Sequence, residues 1–168
     1  IEIYRSAQER FLLGLVLPIA REIESRLNGL AAVARISLAG SIRRRKESVG
    51  DVDILVTSGE PSKVMDGFTQ LAEVKRVLAK GKTKSTIVLT NNLQVDLRVV
   101  EEGSFGSALQ YFTGSKEHNI RLRAMALEKN WKLSEYGLFD KGTDKKIAGE
   151  DEEEIYKALG LSYIEPEL

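Results

Sequence analysis

The sequence predicts an α+β chain: a mixed or antiparallel sheet with packed helices, followed by a small α/β subdomain. Three observations predict it. Two stretches in the first hundred residues, 6–27 and 61–72, carry apolar residues at helical spacing. Five short runs, 33–39, 49–57, 74–79, 85–90 and 92–100, have the alternation and β-branched content of strands. Beyond residue 102 the pattern changes to short helices around one hairpin, with a boundary at 101–106, where Gly103, Ser104 and Gly106 cluster. The division is a sheet-based domain over 1–102 and a smaller one over 103–168.

The first helix is marked by Leu12, Leu13, Val16, Leu17, Ile19, Ala20, Ile23 and Leu27. Pro18 inside this pattern implies a kink or a late start, and Asn28-Gly29 ends it. The strand over 33–39 runs into a turn at Gly40-Ser41 and then a basic segment. In the strand over 49–57, Val52, Ile54 and Val56 share one face. The helix over 61–72 presents Val64, Met65, Phe68 and Leu71. Lys80-Gly81-Lys82 and Asn91-Asn92 are turns between the last three strands. After the boundary come helices over 107–112 and 116–129 separated by Gly114, a hairpin over 131–139, and a helix over 151–159 with acids in its first turn, where the helix dipole favours them.

The 168 residues are 42% hydrophobic, enough to bury a core, and 25 basic residues balance 25 acidic ones. A chain-wide basic signature for nucleic acid is therefore absent, while local basic patches are present. No cysteine occurs, which excludes disulfides and thiolate-metal sites and fits a reducing, cytoplasmic setting. The longest apolar stretch, residues 11–20, is far short of a membrane span, and no signal peptide is visible. A start at Ile1 reads as a fragment of something longer.

The chemistry is carried by carboxylates. Asp51 and Asp53 lie on one face of their strand, roughly 6–7 Å apart at the Cα atoms, while Val52 and Ile54 point to the core. Like charges so placed repel unless a cation sits between them. Asp96, flanked by apolar Val95 and Leu97, also faces away from the core, beside Gln94 and Arg98. If the two strands are neighbours, three carboxylates converge on one open site. Such hard oxygen ligands suit Mg²⁺, and two ions about 3.5–4 Å apart can clamp an in-line displacement. An Asp-x-Asp in a strand is most often a solvated face. Here it is preceded by a small-residue turn at Gly40-Ser41 and by Arg43, Arg44 and Arg45, an anion-binding turn and phosphate-pairing guanidiniums beside a cation-binding pair.

The stretch Gly40-Ser41-Ile42-Arg43-Arg44 followed by Gly50-Asp51-Val52-Asp53 resembles the signature of the polymerase-β-like nucleotidyltransferase superfamily, and its arginines and Gly50 narrow the likeness to family X DNA polymerases. Tyr111-Phe112-Thr113-Gly114-Ser115, with Asn119 and Arg123 after it, resembles a second motif of that family, and residues 133–139 resemble its hairpin. The flavour is bacterial or archaeal, and the resemblance covers nearly the whole chain.

The resemblance implies a nucleotidyltransferase-type palm over 1–102, a nucleotide-binding (thumb/fingers) subdomain over 103–168, and a DNA-directed DNA polymerase acting in repair gap filling. Asp51 and Asp53 would hold two Mg²⁺ ions (Mn²⁺ as a substitute), and Asp96 would complete the catalytic-ion site. Gly40, Ser41, Arg44 and Gly50 would hold the triphosphate, and Tyr111, Phe112 and Gly114 would shape the sugar pocket. Asn119 would touch the minor-groove edge of the incoming base, and Arg98 and Arg123 would lie on the DNA side, Arg123 at the templating strand and Arg98 steering Asp96. Glu135 and Tyr136 would support the closed second domain. The implied partners are template-primer or gapped DNA and deoxynucleoside triphosphates, met by a monomer and not by a membrane protein. The family's flanking lyase-like, helix-hairpin-helix and phosphoesterase modules have no counterpart here.

Lys116, Ile120 and Gln94 depart from residues of other members and bear on base selection rather than on the chemistry. His118 reads as a helix-surface residue, Trp131 as core, and Lys80, Lys82 and Lys84 as either DNA-phosphate contacts or a solvated turn. Two other readings remain open: transfer to another acceptor, such as a tRNA end, an antibiotic or a protein, and a non-catalytic DNA-end-binding module. The Tyr111–Ser115 block argues against the first, and the intact carboxylates against the second.

Overall fold

A computed structural model describes residues 10–168 of the chain. In order, the elements are β1 (Phe11–Leu12), α1 (Leu13–Asn28), β2 (Arg35–Ala39), α2 (Gly40–Arg43), β3 (Ser48–Val49), β4 (Asp51–Thr57), α3 (Pro61–Thr69), β5 (Val74–Lys80), β6 (Lys84–Leu89) and β7 (Gln94–Val100). A 3₁₀ turn at Glu102–Ser104 leads into α4 (Phe105–Thr113), α5 (Lys116–Glu128), β8 (Trp131–Ser134), β9 (Gly137–Asp140), β10 (Lys146–Ala148) and α6 (Glu152–Ala158).

The main sheet has five strands in the order β2-β4-β7-β6-β5. β4 and β7 run parallel and every other pair is antiparallel, so the sheet is mixed. Strand alternation divides it into two faces. On one face α1 and α3 bury Val16, Ala20, Ile23, Leu27, Val64, Met65 and Phe68 against Leu38, Val52, Ile54, Val56, Val95 and Leu97. On the other, Phe105, Ala108 and Leu109 of α4 cover Ala39 and Leu55. α4 roofs β4 only at Leu55, so the preceding same-face residues, Asp51 and Asp53, lie beyond the roof and stay only half-buried. A separate cluster joins α5, the β8-β9-β10 sheet and α6 through Leu122, Ala126, Leu133, Leu138, Ala148, Ile155, Tyr156 and Leu159. Trp131 packs at its margin, half-buried. Among the described residues, no helix is long and apolar enough to cross a membrane.

Several boundaries differ from the sequence reading. The first helix begins at Leu13, because Phe11 and Leu12 pair with Val49 and Ser48 instead; residues 6–9 of the predicted helix lie outside the described residues. Pro18 sits inside α1, where its missing N–H leaves the Gly14 carbonyl without a ladder bond. The Gly40-Ser41 turn is the bend by which the chain leaves β2 into the single helical turn of α2. The strand predicted over 49–57 is broken at Gly50, since β3 pairs with β1 while β4 enters the main sheet. α3 ends at Thr69, whose hydroxyl donates back to the Met65 carbonyl. β10, three residues long, carried no periodic signal.

Gly106, read as part of the boundary at 101–106, lies buried inside α4. Its N–H donates to the Glu150 carbonyl at 2.9 Å. A Cβ there would stand 2.2 Å from the backbone carbonyl carbon of Asp151. The glycine lets α4 and the backbone leading into α6 touch, main chain against main chain. Gly106→Ala is therefore expected to cost about 2–3 kcal/mol in urea unfolding, because backbone cannot step aside as a flexible side chain can. An unchanged midpoint would show that the two segments separate freely.

Candidate active site

The site begins as a row across three strands. In the parallel register Asp53 stands opposite Asp96 and Asp51 opposite Gln94. In the antiparallel register on the other side of β7, Asp96 stands opposite Thr86. Asp53, Asp96 and Thr86 thus lie side by side on one face, and Asp51 lies one pleat along β4. Asp96 is the deepest of the carboxylates, 5% exposed, and its Oδ1 accepts a hydrogen bond from the Thr86 hydroxyl. The Gln94 amide reaches its Oδ2 at 3.4 Å.

Arg98 was expected to steer Asp96. It instead leans across to β4 and donates to Asp53 Oδ1 at 3.2 Å. Thr86 and Gln94 already occupy Asp96, and the guanidinium is taken by Asp53 on the neighbouring strand. The Arg98 Cζ also stands 4.2 Å from the centre of the Phe112 ring, a cation–π contact.

The Gly40–Ser41 bend abuts the row. β2 delivers it there, because Ala39 is the residue opposite Asp53. Gly40 has φ +66°, a conformation that favours glycine, and a Cβ on it would stand 2.6 Å from Asp53 Oδ2 and push that carboxylate aside. Gly50 lies between β3 and β4, directly before Asp51. Ser41 is half-buried. Arg44 Nη1 donates to the Thr113 carbonyl, while its Nε is buried without a hydrogen-bond partner. Arg43, read from sequence as part of a phosphate-contacting run, is otherwise engaged. It is bidentate to Glu152 at 2.5 and 2.8 Å and also donates to the Thr113 and Tyr163 hydroxyls. That network ties α2 to α4 and α6 and removes Arg43 from the open site.

α4 and α5 bring up the other side. Gly114, with φ +71°, faces Arg44: a Cβ on it would be 3.1 Å from Nη1. The Tyr111 and Phe112 rings meet edge to face at 5.0 Å. Asn119 is held in place, donating to the Tyr111 carbonyl at 2.9 Å and accepting from Gln110 at 2.7 Å. Arg123 is exposed on the same helix, and Ser115 caps that helix by accepting the His118 N–H. Next to Arg44, Gly114 and Ser115 opens a cavity of about 520 Å³ also lined by Lys46, His118 and Arg121. His118, expected on the surface, is half-buried and hydrogen-bonded to the Tyr156 hydroxyl at 2.7 Å. Glu135 and Tyr136 are tethered through their carbonyls by the Ser107 and Ser104 hydroxyls of α4 and the turn before it.

Two neighbours of the carboxylates escaped the sequence reading. Arg10 grips the Ser48 hydroxyl and carbonyl at 3.0 and 2.9 Å, and its charge falls on Asp51. Only the β1–β3 pairing brings it there, and no local pattern announces a two-residue strand. Thr86 is the other; a threonine in a strand carries no signal until the register is known.

Two family models match the chain: one described as DNA polymerase beta palm, over residues 16–124, and one described as DNA polymerase beta thumb, over residues 108–168. The DNA polymerase/3'-5' exonuclease PolX of Bacillus subtilis (strain 168) is 39% identical over 162 residues, 95% of this chain and 28% of that protein. The Repair DNA polymerase X of African swine fever virus (isolate Tick/South Africa/Pretoriuskop Pr4/1996) is 32% identical over 137 residues, 76% of this chain and 77% of the viral protein. DNA polymerase lambda of Rattus norvegicus is 30% identical over 166 residues, 82% of this chain and 28% of that protein. The chain thus spans under a third of the bacterial and rat relatives and most of the viral one.

The row's electrostatics suit a cation. Burial pushes the Asp53 carboxyl up to about 6, with the negative charges of Asp51 and Asp96 adding to it and Arg98 opposing. Burial also raises Asp51, followed by the charge of Asp96, against the pull of Arg98, Arg10 and Lys84. The anionic charge is therefore under-compensated by the protein, and the donors are all hard oxygens, the set a divalent cation takes. Among the described residues no three such side chains close into a ready cage; they form an open row.

The folded-state value of about 6 for Asp53 lies above the ordinary carboxylate value. The folded protein then binds the extra proton between roughly pH 4 and 6, so this group favours folding at acid pH and that contribution is lost as pH rises through 6. Without divalent cations, Asp53→Asn is expected to gain stability over wild type as pH rises from about 4 to 7, by up to roughly 3 kcal/mol. Added Mg²⁺ should shrink the gap. Urea unfolding at several pH values measures it, and a gap that does not vary with pH would contradict the assignment.

Proposed function

Since this chain belongs to the family X DNA polymerases, we propose that it is a DNA-directed DNA polymerase that transfers a deoxynucleotide to a primer 3′-hydroxyl, in the filling of repair gaps. Family X polymerases are generally divalent-metal dependent. The observation that carries the reading is the β4–β7 register: Asp53 opposite Asp96, with Asp51 on the same open face and the Gly40–Ser41 bend against them. The relatives' names, which include repair DNA polymerase X, support both the chemistry and the repair setting. In this reading residues 1–102 form the palm and residues 103–168 the nucleotide-binding subdomain, with α4 carried on the palm sheet.

Two Mg²⁺ ions held by Asp51, Asp53 and Asp96, or Mn²⁺ in their place, would acidify the 3′-hydroxyl and neutralise charge on the departing pyrophosphate. The chain's own groups supply position and charge. The Gly40–Ser41 bend offers backbone N–H groups, and Gly50 room, to the triphosphate. Arg44, tethered on one side to Thr113 with its Nε unpaired, is a donor in reserve for phosphate oxygens. Arg98 balances part of the charge of Asp53 and is held over the Phe112 ring at the same time, so its guanidinium stays beside the carboxylates that would hold the ions. Tyr111, Phe112 and Gly114 wall the sugar, Asn119 faces the incoming base, and exposed Arg123 meets the template strand. The substrates are gapped or template-primer DNA and deoxynucleoside triphosphates, and the working unit is a monomer.

Extension of a gapped duplex by one templated nucleotide, dependent on Mg²⁺ or Mn²⁺, is the expected result. Asp51→Ala, Asp53→Ala and Asp96→Ala should each fall to background while keeping a cooperative unfolding transition. Extension retained by any of the three, or addition that ignores the template base, would count against a polymerase and favour transfer to another acceptor.

A further inference from the structure

Asp96 is the carboxylate with the least freedom, and the group that restrains it is Thr86. The two side chains face each other across the β6–β7 ladder, and both are buried, Thr86 8% exposed and Asp96 5%. The Thr86 hydroxyl donates to Asp96 Oδ1. A carboxylate turns easily about its last torsion, which has broad wells, so one firm donor decides which oxygen is presented. Threonine suits that task, because its β-branched side chain is stiff about χ1 and holds the hydroxyl in place. With Oδ1 occupied, Oδ2 has only the 3.4 Å contact from Gln94. On the other flank of Asp96 stands Asp53, so the row runs donor, acceptor, acceptor across three strands.

We propose that Thr86 is a positioning residue for the polymerase reaction: its hydroxyl fixes Asp96 Oδ1 and leaves Oδ2 as the oxygen offered to the cation. This rests on the polymerase reading. A purely structural hydroxyl would also satisfy a buried oxygen, and its loss would lower stability and nothing else. A positioning hydroxyl governs cation affinity and turnover but not nucleotide affinity, because Thr86 stands in the strand row and not among the Gly40–Ser41, α4 and α5 groups.

The test compares Thr86→Ser, Thr86→Ala and Thr86→Val in the same chain. Serine and alanine differ only by the hydroxyl, so that pair keeps the comparison usable if valine fails to fold. Mn²⁺ binding is read by the loss of free-ion electron paramagnetic resonance signal, gap filling by single-turnover extension, and folding by thermal melting. Groups that orient a metal ligand typically contribute about 10–100-fold in affinity or rate. Alanine, and valine if folded, are expected to bind Mn²⁺ about tenfold more weakly and to lose about ten- to a hundredfold in kcat with KM for the nucleotide nearly unchanged. Serine should restore Mn²⁺ binding and kcat. Wild-type affinity and kcat in the alanine variant, or serine as impaired as alanine, would overturn the role of Thr86 while wild-type extension keeps the polymerase reading standing. A wild-type chain that neither binds Mn²⁺ nor copies a gap would remove both.

Discussion

The parallel pairing of β4 with β7 is the constraint on which the rest depends. Sheet registers are quantised: a slip of one residue would turn Asp51 and Asp53 inward and Val52 and Ile54 outward. The apolar face of β4 is buried to 0% at Val52, Ile54 and Val56, so the core fixes the register and the register fixes the carboxylates. The site's geometry is thus enforced from the opposite side of the sheet, by α1 and α3. The chain tolerates the mutual repulsion of the acids because many apolar contacts beneath them leave no alternative.

A second constraint joins the two halves of the molecule. The Arg43–Glu152 pair is largely shielded, with side chains 18% and 11% exposed, and it is bidentate. Two shielded charges with matched geometry cannot part cheaply, since either alone would be an uncompensated buried ion. Arg35 adds an outer tie to Asp151 and stacks over the Phe105 ring at 4.2 Å. Two neighbouring arginines have therefore divided their work: Arg43, the last residue of α2, ties the sheet side to α4 and α6, and Arg44 just after it stays at the site's edge with an unsatisfied Nε.

What could be read in advance follows from how local each signal is. Asp51 and Asp53 share a face by strand periodicity alone, and the Gly40–Ser41 bend was legible as small residues after a strand. Asp96 could be placed only conditionally, because strand adjacency is a long-range fact. The motif resemblances supplied that missing range, including Gly114 and Asn119. The partners of Arg98, Arg43 and Arg10 were not legible: each depends on which side chain a long cation reaches once others are taken. The burial of Gly106 inside α4 was not legible for a related reason. A glycine marks a linker or a backbone contact with the same letter, and only the approach of Asp151 decides between them.

The crossover that makes β4 and β7 parallel has a further consequence in time. The acids at 53 and 96 are about forty residues apart in sequence, and α3, β5 and β6 intervene. Non-local strand pairings of this kind form late, after local hairpins such as β5–β6. As the chain leaves the ribosome, it carries half of an acidic pair that cannot be completed until the seventh strand emerges. The full row of carboxylates is therefore a product of the sheet's own completion, assembled only once β7 has settled beside β4.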